Sequence, residues 1–142
     1  MTASRAILSD GQEVEFHTLE TVKLRMAEAA DTLKRLRMHG LRPGGHRTHW
    51  PDVVQDFWEA YGSKDEKPRL GAPRPSAIDR MDETIGWLLQ IRSAQARGVV
   101  WGKACGLSTR RMARILGISR HYVDRLHNDA LENVVRRVNG LA

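Results

Sequence analysis

Gly117 is the residue that most limits how this chain can fold. It stands inside the stretch GLSTRRMARILGISRHYVDRL, residues 106–126, between two segments that mix apolar and basic side chains. Ala113 lies four places before it. Met112, Leu116, Ile118, Val123 and Leu126 fall on either side at helical offsets. Two helices that cross closely and reverse through a tight turn need this combination. The crossing wants a small residue, the turn wants one that tolerates positive φ, and the apolar positions must face one another. Ser108 and Ser119 stand where the two N-terminal caps belong. The spacing therefore predicts a helix-turn-helix over 108–128, with Met112, Leu116, Ile118, Val123 and Leu126 buried. An ordinary helical hairpin is the alternative, and it would need the small residue, the turn and the charge to coincide.

The rest of the chain reads as helices separated by breaks. Residues 1–16 are polar and aperiodic, and they are expected to be flexible, with no strand anywhere in the chain. Thr18 is placed to cap a helix in which Leu19, Val22, Met26, Ala29, Leu33 and Leu36 recur every three or four residues. That short seam suits packing inside a small bundle; self-association is the sharper alternative. HGLRPGGHRTHW, residues 39–50, breaks the helix. A second helix is expected from Pro51, with Val53, Val54, Phe57, Trp58 and Tyr61 inward. The Pro/Gly-rich residues 62–75 read as a linker. A third helix is expected from Ser76, capped by a box with Asp79, and burying Ile78, Met81, Ile85, Leu88 and Leu89. Ser93 is expected to open a fourth that ends at Gly106. The predicted fold class is all-α: a small helical bundle with a C-terminal helix-turn-helix. Its parts are a helical hairpin over 17–61 and a DNA-binding region over 76–142.

Charge is uneven along the 142 residues. Residues 92–142 hold ten Lys/Arg against three Asp/Glu, or +7, while residues 1–91 hold thirteen against fourteen, or −1. A basic C-terminal third that coincides with the turn motif points to a polyanion, most simply double-stranded DNA. The longest apolar runs fall far short of the roughly 20 residues that span a bilayer. The opening MTASRAILSDGQEVEF does not read as a signal peptide. Cys105 is the sole cysteine, which excludes an internal disulfide and suits a reducing cytoplasm.

A recognition helix presents its first turns to base edges in the major groove. On that rule Ser119, Arg120, His121, Asp124, Arg125 and Asn128 are the base-reading candidates. Arg120 and Arg125 carry the two-pronged donor that suits guanine, and Asn128 the amide that suits adenine. Asp124 either accepts from cytosine or pairs with Arg120 or Arg125. The first helix of such a pair crosses the backbone, which makes Ser108, Arg110, Arg111, Arg114 and the Tyr122 hydroxyl the phosphate candidates. Arg42, His46 and Arg47 in the glycine-rich break are candidate loop contacts to DNA.

Other constellations are weaker. His39, His46 and His49 share that break without a cysteine or carboxylate beside them, so no metal site and no cofactor is expected. Asp52, Asp56, Asp79, Asp82 and Glu83 fall at helical spacing, but no nucleophile, phosphate loop or oxyanion arrangement goes with them. The expectation is a binding protein and not an enzyme.

Two resemblances bear on function. LSTRRMARILGISRHYVDRLHNDAL resembles the helix-turn-helix of sigma factor region 4. The order WPDVVQDFWEAYG, PSAIDRMDETIGWLLQI, VVWGKACGLSTRRMARILGISRHYVDRL resembles a small alphaproteobacterial family, the gene transfer agent regulators of the GafZ/GafA C-terminal type. That family is similar in role to phage Q-type antiterminators. The resemblance implies DNA binding beside a promoter, loading onto RNA polymerase, and readthrough of terminators in gene transfer agent or prophage genes. It carries a DNA-reading role to Ser119, Arg120, His121 and Arg125, and a polymerase-binding role to no particular residue. A dimeric repressor or activator is the second expectation. The third, from a different class, is a packaging component similar to a small terminase subunit.

Overall fold

The structure, a computed structural model, describes residues 4–7, 13–38, 50–61 and 71–140. Its body is all-α. Six helices follow one another among the described residues: α1 Leu19–Met38, α2 Asp52–Tyr61, α3 Pro75–Leu88, α4 Ala94–Ala104, α5 Thr109–Leu116 and α6 Arg120–Val138. Before them stands a small antiparallel hairpin, β1 Ser4–Ile7 and β2 Glu13–Phe16, with Ser4 opposite Phe16 and Ile7 opposite Glu13. This corrects the expectation of no strand in the chain. The local signal was present: Glu13-Val14-Glu15-Phe16 alternates with the period of a strand.

Thr18 caps α1 as expected, its hydroxyl accepting from the Thr21 N–H at 3.1 Å. The seam of α1 turns inward: Val22, Met26, Ala29, Leu33 and Leu36 are all buried. Leu19, the first residue of the stripe, is partly buried against the same core. The three buried threonines are satisfied locally: Thr32 donates to the Glu28 carbonyl at 2.9 Å, Thr84 to that of Arg80 at 2.7 Å, and the Thr21 hydroxyl shares a hydrogen bond with that of Thr18 at 2.9 Å. At α3 the expected Ser76–Asp79 box does not form. Pro75 is the first helical residue and Arg74 the cap, with no side-chain bond. Proline lacks the N–H that a cap would satisfy and its φ is already helical, so it starts the helix one residue earlier. Leu89, expected inside, is 57% exposed, because α3 ends at Leu88. Ser93 does cap α4, accepting from Ala96 N at 3.2 Å.

Buried residues of α1, α2, α3, α4 and α6 form one core, with Trp58, Trp101, Met26, Leu33, Met81, Ile85, Leu88 and Leu131 at its centre. Helices from both expected parts, 17–61 and 76–142, contribute to this core. The most extensive partner of α1 is α3, not its sequence neighbour α2. Periodicity tells which face of a helix is buried, but not what covers it. Polar contacts reinforce the α1–α3 seam. Arg80 pairs with Glu28 at 2.7 Å, and Arg25 lies over the Trp87 ring at 4.7 Å while reaching Glu83 at 3.4 Å. Across 122 positions of sequence, Asn139 closes the bundle: its amide accepts from His17 N at 2.7 Å and donates to His17 O at 2.8 Å.

A second, smaller cluster lies beyond this core: Val99, Met112, Ala113 and Val123, flanked by Leu107, Ile118 and Leu126. Helix α6 belongs to both, through Val123 at one end and Ala130, Leu131 and Val134 at the other. The C-terminal pair α5–α6 is thus mounted on the bundle through its own long helix.

Leu131 is 1% exposed within the main core. Leu131→Ala is expected to cost about 2–5 kcal/mol. Tryptophan fluorescence and far-ultraviolet circular dichroism should then be lost in one coincident urea transition with a lower midpoint. Two separated transitions would instead mean two independently stable lobes.

Candidate nucleic-acid interface

Helix α5 has eight residues, too few for stability alone, so its neighbours must hold it. Ser108 caps it by accepting from Arg111 N at 3.1 Å. Gly117 ends it at φ 68°, in the left-handed region that suits glycine, and Ile118 N closes the turn on the Ala113 carbonyl at 3.1 Å. Ser119 then caps α6, accepting from Tyr122 N at 3.1 Å. Three residues therefore join two capped helices. Met112, Ala113 and Val123 are buried as the spacing predicted, and Ile118 and Leu126 are half-buried against them. Leu116 departs from the prediction, at 37% exposed. It is the last helical residue, beyond the crossing at Ala113, and the chain turns away at the next position.

A groove of about 740 Å³ opens between α5 and the start of α6. Its floor is Ala113 and Ile118, and its walls carry Arg110, Arg114, Ser119, Arg120, His121 and Asp124. Sequence reasoning assigned these to two groups, phosphate and base; the fold brings them to one place. Arg111 faces out from α5 away from the groove, and Tyr122 is 44% exposed. His121, Arg125 and Asn128 recur at one-turn intervals along α6, all exposed, on the side opposite buried Val123. Among the described residues, Arg110, Arg111, Arg114, Arg120 and Arg125 form no ion pair.

Asp124 is the exception in this basic region, and its partners are neither Arg120 nor Arg125. Lys103 of α4 donates to its carboxylate at 2.9 Å, and the Thr109 hydroxyl donates to the same oxygen at 3.2 Å. The Lys103 bond holds the Asp124 carboxyl below its ordinary value. The side chain thus ties α6 to α4 and to the first residue of α5, and two of its acceptor positions are already used. No local pattern announces this contact, because Lys103 and Asp124 are 21 positions apart. Beside them His127 is pushed down to about 4, first by burial and then by the Lys103 and Lys23 charges. At neutral pH it adds no charge to this face.

Gly102 was also unforeseen. A Cβ there would meet the Met112 sulfur at 2.9 Å, so the absence of a side chain lets α4 and the Met112 side chain of α5 approach closely. The loop candidates Arg42, His46 and Arg47, and the histidines His39 and His49, lie outside the described residues. No helix among the described residues is long and apolar enough to cross a membrane.

No curated protein and no solved structure matches the chain. The family described as Domain of unknown function (DUF6362) matches residues 34–134. That span runs from the last turns of α1 through most of α6 and takes in the whole α5–α6 groove. The chain belongs to the DUF6362 family.

Proposed function

We propose that this protein is a sequence-specific transcription regulator that binds double-stranded DNA, with α5 and α6 as its helix-turn-helix. The observation that carries the reading is the set of five arginines between Arg110 and Arg125, on α5 and the first turns of α6, none of them ion-paired among the described residues. Surface arginines on a soluble helix commonly sit beside acids. Here a polyanion is the missing counter-charge, and duplex DNA supplies one negative charge about every 1.7 Å of helix axis. The outer row of α6, His121, Arg125 and Asn128, enters the major groove, and α5 crosses the backbone. The length of α6 suits this role, since its far end is anchored in the bundle core while its near end carries the exposed His121, Arg125 and Asn128.

The finer role is antitermination. On the resemblance to gene transfer agent regulators, the protein binds beside a promoter, loads onto RNA polymerase and carries it through terminators. The test is transcription in vitro on a template with a terminator downstream of the bound site. Readthrough that depends on the protein supports the role. Binding and repression without readthrough would leave only the plain regulator.

Two substitutions test the DNA reading. Arg125→Ala is expected to cost about 1–3 kcal/mol at the preferred site and to relax base preference at one position, as read by selection from a randomised duplex library. Arg111→Ala is expected to weaken specific and random duplexes alike and to make the salt dependence shallower by about 1 in log–log slope. An unchanged slope would remove Arg111 from the phosphate contacts.

A further inference from the structure

We propose that the α5–α6 groove seats the sugar-phosphate backbone of one DNA strand, and that Arg120 binds phosphate there with Arg110 and Arg114 instead of reading a base. This rests on the duplex-binding reading and sharpens it. Three guanidinium groups from two helices line one groove of about 740 Å³. None has a carboxylate partner among the described residues. The one carboxylate on the groove wall, Asp124, is held by Lys103 and Thr109. Like charges gathered without a counter-ion repel, so the groove is built for an anion.

Base edges do not meet that demand. A guanine offers two neutral acceptors, enough for one guanidinium. A run of phosphodiesters offers a full negative charge and two non-bridging oxygens at each step, which several guanidinium groups can share in charge-assisted bonds. The floor, Ala113 and Ile118, brings no competing polar side chain and suits a sugar face. Arg110 and Arg114 belong to the helix that crosses the backbone in this motif, and Arg120 shares their groove. Arg125 and Asn128 lie outside it, further along α6, and remain the base readers.

The test measures full-length protein on a random-sequence 30-base-pair duplex over a range of salt, together with selection from a randomised library. Arg110→Ala, Arg114→Ala and Arg120→Ala should each lose about tenfold on random and on selected duplexes, with the salt slope shallower by about 1. All three should select the wild-type consensus. Arg120→Lys should keep most of the slope, since an ammonium also neutralises a phosphate. Circular dichroism checks that these exposed substitutions leave the helices intact. If Arg120→Ala binds random duplex normally but selects a different consensus, Arg120 is a base reader and the groove assignment is overturned, while DNA binding stands. If the wild-type protein binds neither duplex, the DNA reading itself fails. A perturbed ³¹P signal of inorganic phosphate in that case would mark a small-anion groove.

Discussion

The burial of α6 in two places is the constraint on which the rest depends. Val123 is fully buried against Val99, Met112 and Ala113, while Leu131 and Val134 are buried among the helices of the main core. One rigid helix thereby fixes the groove relative to the bundle. An eight-residue α5 could not hold its own position, and it takes its place from Ala113 at the crossing and from Gly117 at the turn. The Asn139–His17 pair secures the opposite end of the helix, so α6 is restrained at both ends.

Electrostatics divides along the same line. Two ion pairs in the bundle join helix to helix, Arg80 to Glu28 and Arg25 to Glu83, while Arg35 pairs with Asp31 within α1. Exposed pairs of this kind contribute little individually, so burial carries the stability and the pairs set register. Across residues 108–128 the arginines form no ion pair among the described residues, and the one acid in that stretch, Asp124, is used for internal bracing by Lys103 and Thr109. A protein selected only for solubility would have little reason to separate its charges this way.

The elements that could be read from the sequence were those with local causes. Thr18, Ser93, Ser108 and Ser119 each bond a backbone N–H three residues on, and those bonds need only a few neighbouring residues. The Ser76 box failed because a stronger local rule, proline at the first helical position, had the same site. Leu116 failed because helical phase continues past the point where the partner helix ends. The β1–β2 hairpin is hard to read from sequence because four-residue strands give weak periodicity. In the candidate site, the residue types were legible; their grouping was not.

Local sequence dictates the two capped helices, the left-handed turn at Gly117, the buried stripe from Met112 to Leu126 with Leu116 excepted, and the basic excess of the C-terminal third. All of these follow from spacing and side-chain chemistry within a few turns. Only the tertiary structure decided that α1 packs on α3, that Asp124 belongs to Lys103, and that Arg120 shares a groove with Arg110 and Arg114. Those facts join residues whose nearness comes from how separate helices dock, and docking depends on the shapes of whole buried faces, which no single stretch of sequence contains.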